Sequence, residues 1–414
     1  MQYGLIGEKL GHSFSKEIHE KLNRHPYALV ELAHDEIDGF FAAKDFFGIN
    51  VTIPYKTTVI PYLTKIDESA KAIGAVNTVV NRGGELWGYN TDFYGLHALI
   101  KHANIPLVNK KVAILGSGGT AKTAFAVANA LGADHILTVS RTAGSGVITY
   151  QELKEEHNNV DVIINTTPVG MYPNTDGTPI AIADFPNLCG VVDAIYNPLR
   201  TQLILDAQKR GIQAEGGLYM LIAQAVRASE LFLDCVYNEG KIEQIYQAIL
   251  QQTENIVLSG MPASGKSTVG KCLAEALGRD FLDLDEEIIQ AAGRSILDIF
   301  EAEGEIGFRN LETTVLRELI ANKRGIVLAT GGGAVLREEN VDLLRRNGKI
   351  YFLDRPPELL LPTADRPLAS TRDAIVRRFE ERYDRYCATA DCHIDGKGSV
   401  AEVAERIRKE FANL

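Results

Sequence analysis

The chain has 414 residues, of which 45% are hydrophobic and 23% charged, a composition typical of a globular protein with two or three domains. The net charge of −11 is shared along the chain, with 20 Lys/Arg against 26 Asp/Glu in residues 1–250 and 23 against 28 in residues 251–414, which argues against a nucleic-acid partner. Five scattered cysteines without a C-x-x-C pair, no apolar run long enough to cross a bilayer and no charged leader predict a cytoplasmic protein with reduced thiols and no membrane partner.

Apolar clusters alternate with helical stretches throughout the chain, which predicts an α/β fold with largely parallel sheets. We expect three domains, over residues 1–95, 96–245 and 254–414. Strands are predicted at Tyr3–Ile6, Gly48–Ile53, Thr78–Asn81, Lys111–Leu115, His135–Val139, Val162–Asn165, Gly190–Asp193 and Asn255–Leu258. A long helix is predicted over Leu218–Leu233, and Tyr237–Gln252 has a helical pattern that runs into a linker.

A glycine-rich turn joins the strand at Lys111–Leu115 to a helix that reaches Leu131. It contains Gly116, Ser117, Gly118, Gly119, Thr120 and Ala121. Such a turn presents the helix N-terminus to a dinucleotide pyrophosphate, although a purely structural turn could carry the same glycines. The next strand ends at Ser140, Arg141 and Thr142, where an NAD site would normally have an acid. Arginine with flanking hydroxyls suits the 2′-phosphate of NADP.

Residues 260–267 read Gly-Met-Pro-Ala-Ser-Gly-Lys-Ser, a phosphate-binding loop between a predicted strand and the helical stretch Thr268–Leu277. The backbone N–H groups of such a loop wrap a phosphate chain, Lys266 neutralises its charge and Ser267 offers a hydroxyl to Mg²⁺. The motif therefore predicts ATP binding. The expected nucleotide contacts are Gly260, Ala263, Ser264, Gly265, Lys266, Ser267 and Thr268.

Five further motifs lie in the front half: Gly-His-Ser-Phe-Ser (11–15), Asn-Val-Thr-Ile-Pro-Tyr-Lys (50–56), Gly-Ala-Val-Asn-Thr (74–78), Gly-Tyr-Asn-Thr-Asp (88–92) and Gly-Gly-Leu-Tyr-Met-Leu-Ile-Ala-Gln-Ala (216–225). In this order they resemble shikimate dehydrogenase over residues 1–245. The resemblance implies an α/β substrate domain followed by a Rossmann domain that binds NADP(H), with 3-dehydroshikimate and shikimate as substrates.

The same resemblance implies which residues act. Lys56 and Asp92 would be the catalytic pair and would also touch the substrate, together with Ser13, Ser15, Asn50, Thr52, Asn77, Tyr196 and Gln224. Thr166 and Gly217 would join the glycine-rich turn and Ser140–Thr142 in binding the cofactor. Without the resemblance, Lys56 could be a solvated surface lysine and Asp92 the N-cap of a helix over Phe93–Ile100.

In the back half the phosphate loop is followed by Phe281-Leu-Asp-Leu-Asp285, Gly293-Arg-Ser-Ile296, Phe308-Arg309, Gly331-Gly-Gly-Ala334, Arg366-Pro367-Leu368 and Arg382-x-x-x-Tyr386. This order resembles shikimate kinase over residues 254–412, a P-loop α/β domain. The resemblance implies that shikimate contacts Asp285, Arg309, Gly332, Gly333 and Arg382, and that Asp285 assists catalysis. Mg²⁺ would contact Ser267 and Asp283, while Lys266 and Arg366 would contact the phosphates.

The two resemblances point to consecutive reactions: reduction of 3-dehydroshikimate with NADPH, then phosphorylation of shikimate at its 3-hydroxyl with ATP. Two alternatives stay open at this stage. One is a quinate-preferring dehydrogenase fused to the kinase, and the other is a regulator that binds nucleotide and shikimate without turnover. The regulator is disfavoured because Lys56, Asp92, Lys266 and Asp283 are all present.

Overall fold

The computed structural model describes residues 2–10, 14–22, 25–360 and 372–412. These residues divide into two compact units, Met1–Tyr246 and Gln247–Leu414. The boundary falls inside a helix, Lys241–Thr253, which agrees with the helical pattern predicted for Tyr237–Gln252. Within the described ranges, no helix is both long enough and apolar enough to span a membrane.

The first sheet of the Met1–Tyr246 unit is mixed. Its described strands are β1 (Tyr3–Gly7), β2 (Tyr27–Glu31), β3 (Gly48–Val51), β4 (Lys65–Ile66), β5 (Thr78–Arg82) and β6 (Glu85–Tyr89), in the spatial order β2-β1-β3-β5-β6-β4. Its helices are α1 (Ser15–Leu22), α2 (Ile37–Ala43), α3 (Glu68–Ile73) and α4 (Thr91–His102). Strand β1 pairs in parallel with β2 and β3, whereas β5 is antiparallel to β3 and β6. The β5–β6 connection is Gly83-Gly84, both at positive φ, which suits a two-residue hairpin turn.

The second sheet of this unit is parallel. Its described strands are β7 (Lys111–Leu115), β8 (His135–Ser140), β9 (Val147–Thr149), β10 (Val162–Asn165), β11 (Gly190–Asp193) and β12 (Gln213–Glu215), in the order β12-β11-β10-β7-β8-β9. The helices are α5 (Gly119–Ala130), α6 (Tyr150–Glu156), α7 (Gln202–Lys209), α8 (Leu218–Leu233) and α9 (Lys241–Thr253). The strand order reverses at β7, and ligands of such sheets bind beyond the carboxyl ends at that point.

The Gln247–Leu414 unit has a five-stranded parallel sheet over the described residues. The strands are β13 (Asn255–Ser259), β14 (Phe281–Asp283), β15 (Val327–Ala329), β16 (Gly348–Asp354) and β17 (Cys392–Asp395), in the order β14-β15-β13-β16-β17. The helices are α10 (Lys266–Leu277), α11 (Leu284–Ala292), α12 (Ile296–Asn322), α13 (Glu338–Arg346), α14 (Arg372–Thr389) and α15 (Val400–Ala412). Helix α12 is interrupted at Gly304, whose φ of 67° is not helical.

Each parallel sheet is covered on both faces, so its central strands are largely apolar and buried. Strands β7, β10 and β11 illustrate this, since every one of their residues except Lys111 is buried. Continuous apolar runs of this kind are typical of strands with helices on both sides, and this is why the ends of these strands were predicted correctly. The apolar clusters around Leu96 and Leu153 cover the two faces of the second sheet.

Helices α4 and α8 pack closely because α4 has a glycine, Gly95, at their contact. A Cβ atom on Gly95 would lie 2.6 Å from the carbonyl oxygen of Met220, so only glycine allows this approach. The approach matters for function because α4 carries Asp92 and α8 carries Gln224.

Gly48 in β3 offers a test of a second close approach, between β3 and α8. A Cβ atom there would lie 2.2 Å from the ring of Phe232, which is itself buried. Gly48→Ala should therefore lower the free energy of unfolding of the Met1–Tyr246 unit by about 1–3 kcal/mol through overpacking. Gly39→Ala in α2 is the matched control, since no atom lies within 4 Å of its added Cβ, and it should not destabilise the protein. Denaturant unfolding of the two variants decides between these outcomes; equal stability would contradict the packing argument.

Candidate functional site

An ion pair joins the two residues predicted to be catalytic in the Met1–Tyr246 unit. Lys56 Nζ lies 2.6 Å from Asp92 Oδ2, with 21% and 13% of the two side chains exposed. Lys56 follows β3 in a turn, and Asp92 is in the first turn of α4. The pair is partly shielded from solvent, so the interpretation of Lys56 as a solvated surface lysine is wrong for this structure.

The N-cap of α4 is Asn90 and not Asp92. The Asn90 side chain accepts a hydrogen bond from the Phe93 N–H, at 3.2 Å, and donates to the Ala75 carbonyl. Asp92 sits two residues further on, where a carboxylate is favoured by the helix dipole. Because Asn90 caps the helix, the carboxylate of Asp92 is available to form the ion pair with Lys56.

Further polar side chains gather on the α4–α8 side of this pair. The Asn77 Oδ1 atom accepts from the Thr91 N–H at 2.7 Å, and the Thr91 hydroxyl donates to Gln224 Oε1 at 3.3 Å. Sequence reasoning missed Thr91, although it lies within the Gly-Tyr-Asn-Thr-Asp motif. Thr91 could have been found from its position between Asn90 and Asp92, at the start of an expected helix.

The structure gives the remaining predicted substrate residues different surroundings. Asn50 is buried and its amide is occupied inside the protein, since it accepts from the Tyr27 hydroxyl at 2.7 Å and donates to Thr78 Oγ1 at 3.0 Å. Thr52 follows β3, Ser15 begins α1 in a buried position, and Tyr196 follows β11, where burial raises its pKa. Ser13 lies outside the described residues.

The glycine-rich turn after β7 is open on one side. Gly116 has a φ of 112°, a conformation that favours glycine, and the Thr166 hydroxyl packs beside it while donating to the Leu115 carbonyl at 2.7 Å. Gly118 caps α5 and Gly119 begins it, and no protein atom lies within 4 Å of a Cβ built on either. Their lack of side chains therefore leaves space at the helix N-terminus, which a pyrophosphate can fill.

The end of β8 lies beside this turn. Ser117 Oγ is 3.5 Å from Ser140 Oγ, and the exposed Arg141 follows directly. Thr142 is exposed, and Ala121 is buried in α5. Gly217 is held against the backbone, since its Cβ would lie 2.2 Å from the Ala194 carbonyl oxygen.

The phosphate-binding loop follows β13, as predicted, and leads into α10. Gly260 and Gly265 have φ values of 147° and 92°, and Ala263 is also left-handed with a φ of 64°. Lys266 is buried and donates to the carbonyls of Gly260 and Met261, both at 2.9 Å, so its ammonium lies inside the curve of the loop. Ser264 is buried, while Ser267 and Thr268 lie in the first turn of α10.

Two oxygen-bearing side chains meet beside this loop. The Ser267 hydroxyl donates to Asp283 Oδ2 at 2.5 Å, and Asp283 is buried at the end of β14, where it also caps α11 by accepting from the Asp285 N–H. Hydroxyl and carboxylate oxygens are the ligands that Mg²⁺ prefers, so these residues fit the ion.

The five residues predicted to bind the acceptor of the kinase come together around the turn after β15. A Cβ atom on Gly333 would overlap the Arg309 guanidinium, which is why glycine stands there. Arg382 donates to the Gly332 carbonyl at 3.3 Å, and the Tyr386 hydroxyl bonds the same carbonyl. Asp285 approaches the turn at Gly331, where a Cβ would lie 2.7 Å from its Oδ1.

This acceptor cluster lies against the phosphate loop. A Cβ atom on Gly332 would come within 2.8 Å of Pro262 Cδ, so the two loops are in contact. Arg366, the remaining predicted phosphate contact, lies outside the described residues.

Sequence reasoning missed Glu312 and Arg378. Glu312 is fully buried and accepts two bonds from Arg309 Nη1, at 3.0 and 2.9 Å; burial raises its pKa, which Arg309 opposes. Burial and then Arg382 lower the pKa of Arg378, and Arg309 contributes in the same direction. Glu312 follows Arg309 by three residues, and Arg378 precedes Arg382 by four. Residues at these spacings share one face of a helix, so both could have been predicted to lie beside the two arginines. Three guanidinium groups thus lie close together, and their planar forks suit a ligand that carries a carboxylate or phosphate.

Comparison with known proteins supports two families in one chain. The shikimate dehydrogenase substrate-binding domain matches residues 5–79, and shikimate kinase matches residues 262–412. The shikimate dehydrogenase (NADP(+)) of Clostridium perfringens strain SM101 is 35% identical, over 60% of this chain and 97% of its own length. That of Clostridium beijerinckii is also 35% identical, over 59% of this chain and 96% of its own length.

Solved structures agree for the front part of the chain. Shikimate dehydrogenase 1 from Peptoclostridium difficile matches with a TM-score of 0.56 and 35% identity, over 60% of this chain and 98% of that one. The Thermus thermophilus enzyme in complex with NADP(H) and shikimate has a TM-score of 0.53 and 25% identity, over 60% of this chain and 99% of that one.

The buried Arg309–Glu312 pair generates a stability prediction. Glu312→Ala would leave a buried guanidinium without its main partner, which should cost about 3–5 kcal/mol of unfolding free energy in the Gln247–Leu414 unit. Glu339→Ala is the matched control, because Glu339 pairs with Arg317 at the surface and should cost less than about 1 kcal/mol. Urea denaturation measures both; a small loss for Glu312→Ala would mean that Arg309 finds another partner.

Proposed function

The chain belongs to the shikimate dehydrogenase family and carries a shikimate kinase domain behind it, and from this we propose that it catalyses two consecutive reactions. The Met1–Tyr246 unit reduces 3-dehydroshikimate to shikimate with NADPH, and the Gln247–Leu414 unit phosphorylates shikimate at the 3-hydroxyl with ATP. The observation that carries the proposal is the arginine-rich acceptor cluster packed against a phosphate loop, in a chain whose other unit belongs to dehydrogenases acting on the same compound.

In the reductase half, Lys56 is the proton donor. Reduction of a ketone needs a proton at the carbonyl oxygen, and a lysine held 2.6 Å from Asp92 can donate it to one face of a bound substrate. Asp92 orients the ammonium and balances its charge, while Asn77, Gln224 and Ser15 offer neutral partners for hydroxyl and carboxylate groups. NADPH, where bound, supplies the hydride.

The cofactor would lie along the open turn at Gly118 and Gly119, with its pyrophosphate at the N-terminus of α5. Arg141 would bind the 2′-phosphate, since it is exposed at the end of β8 and Ser140 stands where a carboxylate would select NAD. This proposal accounts for a basic residue at that strand end.

In the kinase half, Arg309 and Arg382 would bind the carboxylate of shikimate through forked, charge-assisted hydrogen bonds. Asp285 would accept a hydrogen bond from the attacking hydroxyl and help to remove its proton. Lys266 would neutralise the phosphate chain from within the loop, and Ser267 and Asp283 would hold Mg²⁺, which supplies further positive charge to the phosphates.

The proposal is tested by supplying the purified chain with 3-dehydroshikimate, NADPH and Mg-ATP and by quantifying both products. Shikimate 3-phosphate should accumulate only when both nucleotides are present, and shikimate should accumulate when ATP is left out. Oxidation of NADPH without any phosphorylated product would overturn the kinase half of the proposal, and phosphorylation of added shikimate without reduction would overturn the other half.

Lys56→Ala tests the proton donor. It should lower the rate of NADPH oxidation by about 100-fold or more, as expected for the loss of a general acid, and should leave phosphorylation of added shikimate unchanged. Lys65→Ala is the matched control, because Lys65 pairs with Glu85 on the surface of the same unit and should keep full activity. Near-normal NADPH oxidation by Lys56→Ala would remove Lys56 from the mechanism.

A further inference from the structure

Arg355 stands directly after β16, the strand next to β13 on the side away from the acceptor cluster. The side chain is partly buried, and its Nε atom is shielded from solvent with no hydrogen-bond partner among the residues that the structure describes. An unsatisfied donor of this kind is unfavourable in the folded protein, and here it lies at the carboxyl edge of the sheet that carries the phosphate loop.

The guanidinium of Arg355 lies against the phosphate loop. A Cβ atom on Gly265 would be 3.6 Å from Arg355 Nη1, and no other atom would be as close. Gly265 precedes Lys266 and forms the start of α10, where the loop presents its backbone N–H groups. The guanidinium is thus beside the part of the loop that faces a phosphate chain.

The stem of Arg355 is fixed by the loop that follows β17. A Cβ atom on Gly396 would lie 3.1 Å from Arg355 Cβ, and the Gly396 N–H donates to the Asp354 carbonyl at 2.8 Å. The nearest acid in sequence is engaged elsewhere, because Asp354 Oδ2 accepts from the Tyr383 hydroxyl at 3.0 Å, a bond that helps raise the pKa of Tyr383 to about 12. Asp354 therefore does not account for the orientation of Arg355.

The position of Arg355 in the sheet indicates which ligand its guanidinium contacts. Four of the five acceptor residues follow β14 or β15, on one side of the phosphate loop, and Arg382 reaches the same turn from α14. Arg355 directly follows β16, on the other side of the loop. A nucleotide bound along the loop must extend to the side that the acceptor leaves vacant. Arginine is suited to phosphate because its planar fork can donate two parallel hydrogen bonds.

We propose that Arg355 is a nucleotide-binding residue of the kinase unit, which donates to the phosphate chain of ATP and ADP from the β16 side. This inference rests on the proposed kinase function and adds a contact that the phosphate-loop motif does not contain. Arg355 supplies affinity for the nucleotide in the ground state, so it acts on binding more than on turnover.

The test is calorimetric titration of Mg-ADP into the full chain and into Arg355→Gln. We expect the Kd for ADP to rise about 10-fold, the Kd for shikimate to stay unchanged, and the KM for ATP to rise with kcat changed less than about threefold. Arg355→Lys, which keeps the charge and loses the fork, should recover part of the affinity. Arg408→Gln, an exposed arginine of α15 paired with Glu405, is the matched control and should bind ADP normally.

Two results would overturn the inference. Equal ADP affinity in Arg355→Gln and wild type would show that the guanidinium only packs beside the loop. An equal loss of affinity for adenosine, measured by competition with ADP, would show that it contacts the nucleoside and not the phosphates. Failure of the wild-type chain to bind ADP at all would instead refute the proposed kinase function, so the two failures are distinguishable.

Discussion

Both units depend on backbone segments that approach each other closely at the carboxyl edge of a parallel sheet. Gly217 touches the Ala194 carbonyl in one unit, and Gly332 touches Pro262 in the other. Any side chain at these positions would overlap the facing segment and force the two apart. Because binding sites of such sheets lie at this edge, the glycines set the distances between the groups that we propose to act on substrate.

The charged side chains of the acceptor cluster are also closely packed, since the Arg309 guanidinium lies against Gly333. Arg309 is buried, and burial of a guanidinium is tolerated only with a partner, which Glu312 provides through two hydrogen bonds. Arg378 and Arg382 add positive charge that Glu312 does not neutralise. Asp285, and Glu305 with its Oε1 atom 3.7 Å from Arg309 Nη2, offset part of this charge. The Arg309–Glu312 pair keeps one guanidinium fixed in place.

Much of the fold was predictable because buried parallel strands are marked by short, continuous apolar runs. Strands β7, β10 and β11 have the predicted ends, and helix α8 has the predicted bounds. The β5–β6 hairpin was missed even though Gly83-Gly84 is a strong turn signal. The nucleotide loops were also predictable, since phosphate binding requires glycine at fixed spacings.

Details of the sites were less predictable because several side chains could form the same hydrogen bond, and the sequence does not show which of them does. Asp92 and Asn90 are both good capping residues, and only the backbone geometry shows that Asn90 takes the helix end. Asn50 belongs to a motif, yet its amide is engaged by Tyr27 and Thr78, which lie far away in sequence. Arg355 lies outside the motifs of the kinase half, so the sequence did not single it out. Its Nε atom has no hydrogen-bond partner among the described residues.

The two proposed sites use different chemistry for one carboxylated ligand, and the difference has a consequence for the order of reactions. In the reductase half the candidate partners of the ligand, apart from the Lys56–Asp92 pair, are neutral hydroxyls and amides. In the kinase half they include Arg309 and Arg382, and charge-assisted hydrogen bonds are about twice as strong as neutral ones. Shikimate should therefore leave the first site easily and be held firmly at the second. On the proposed roles, this difference in ligand partners favours movement of shikimate from the first site to the second.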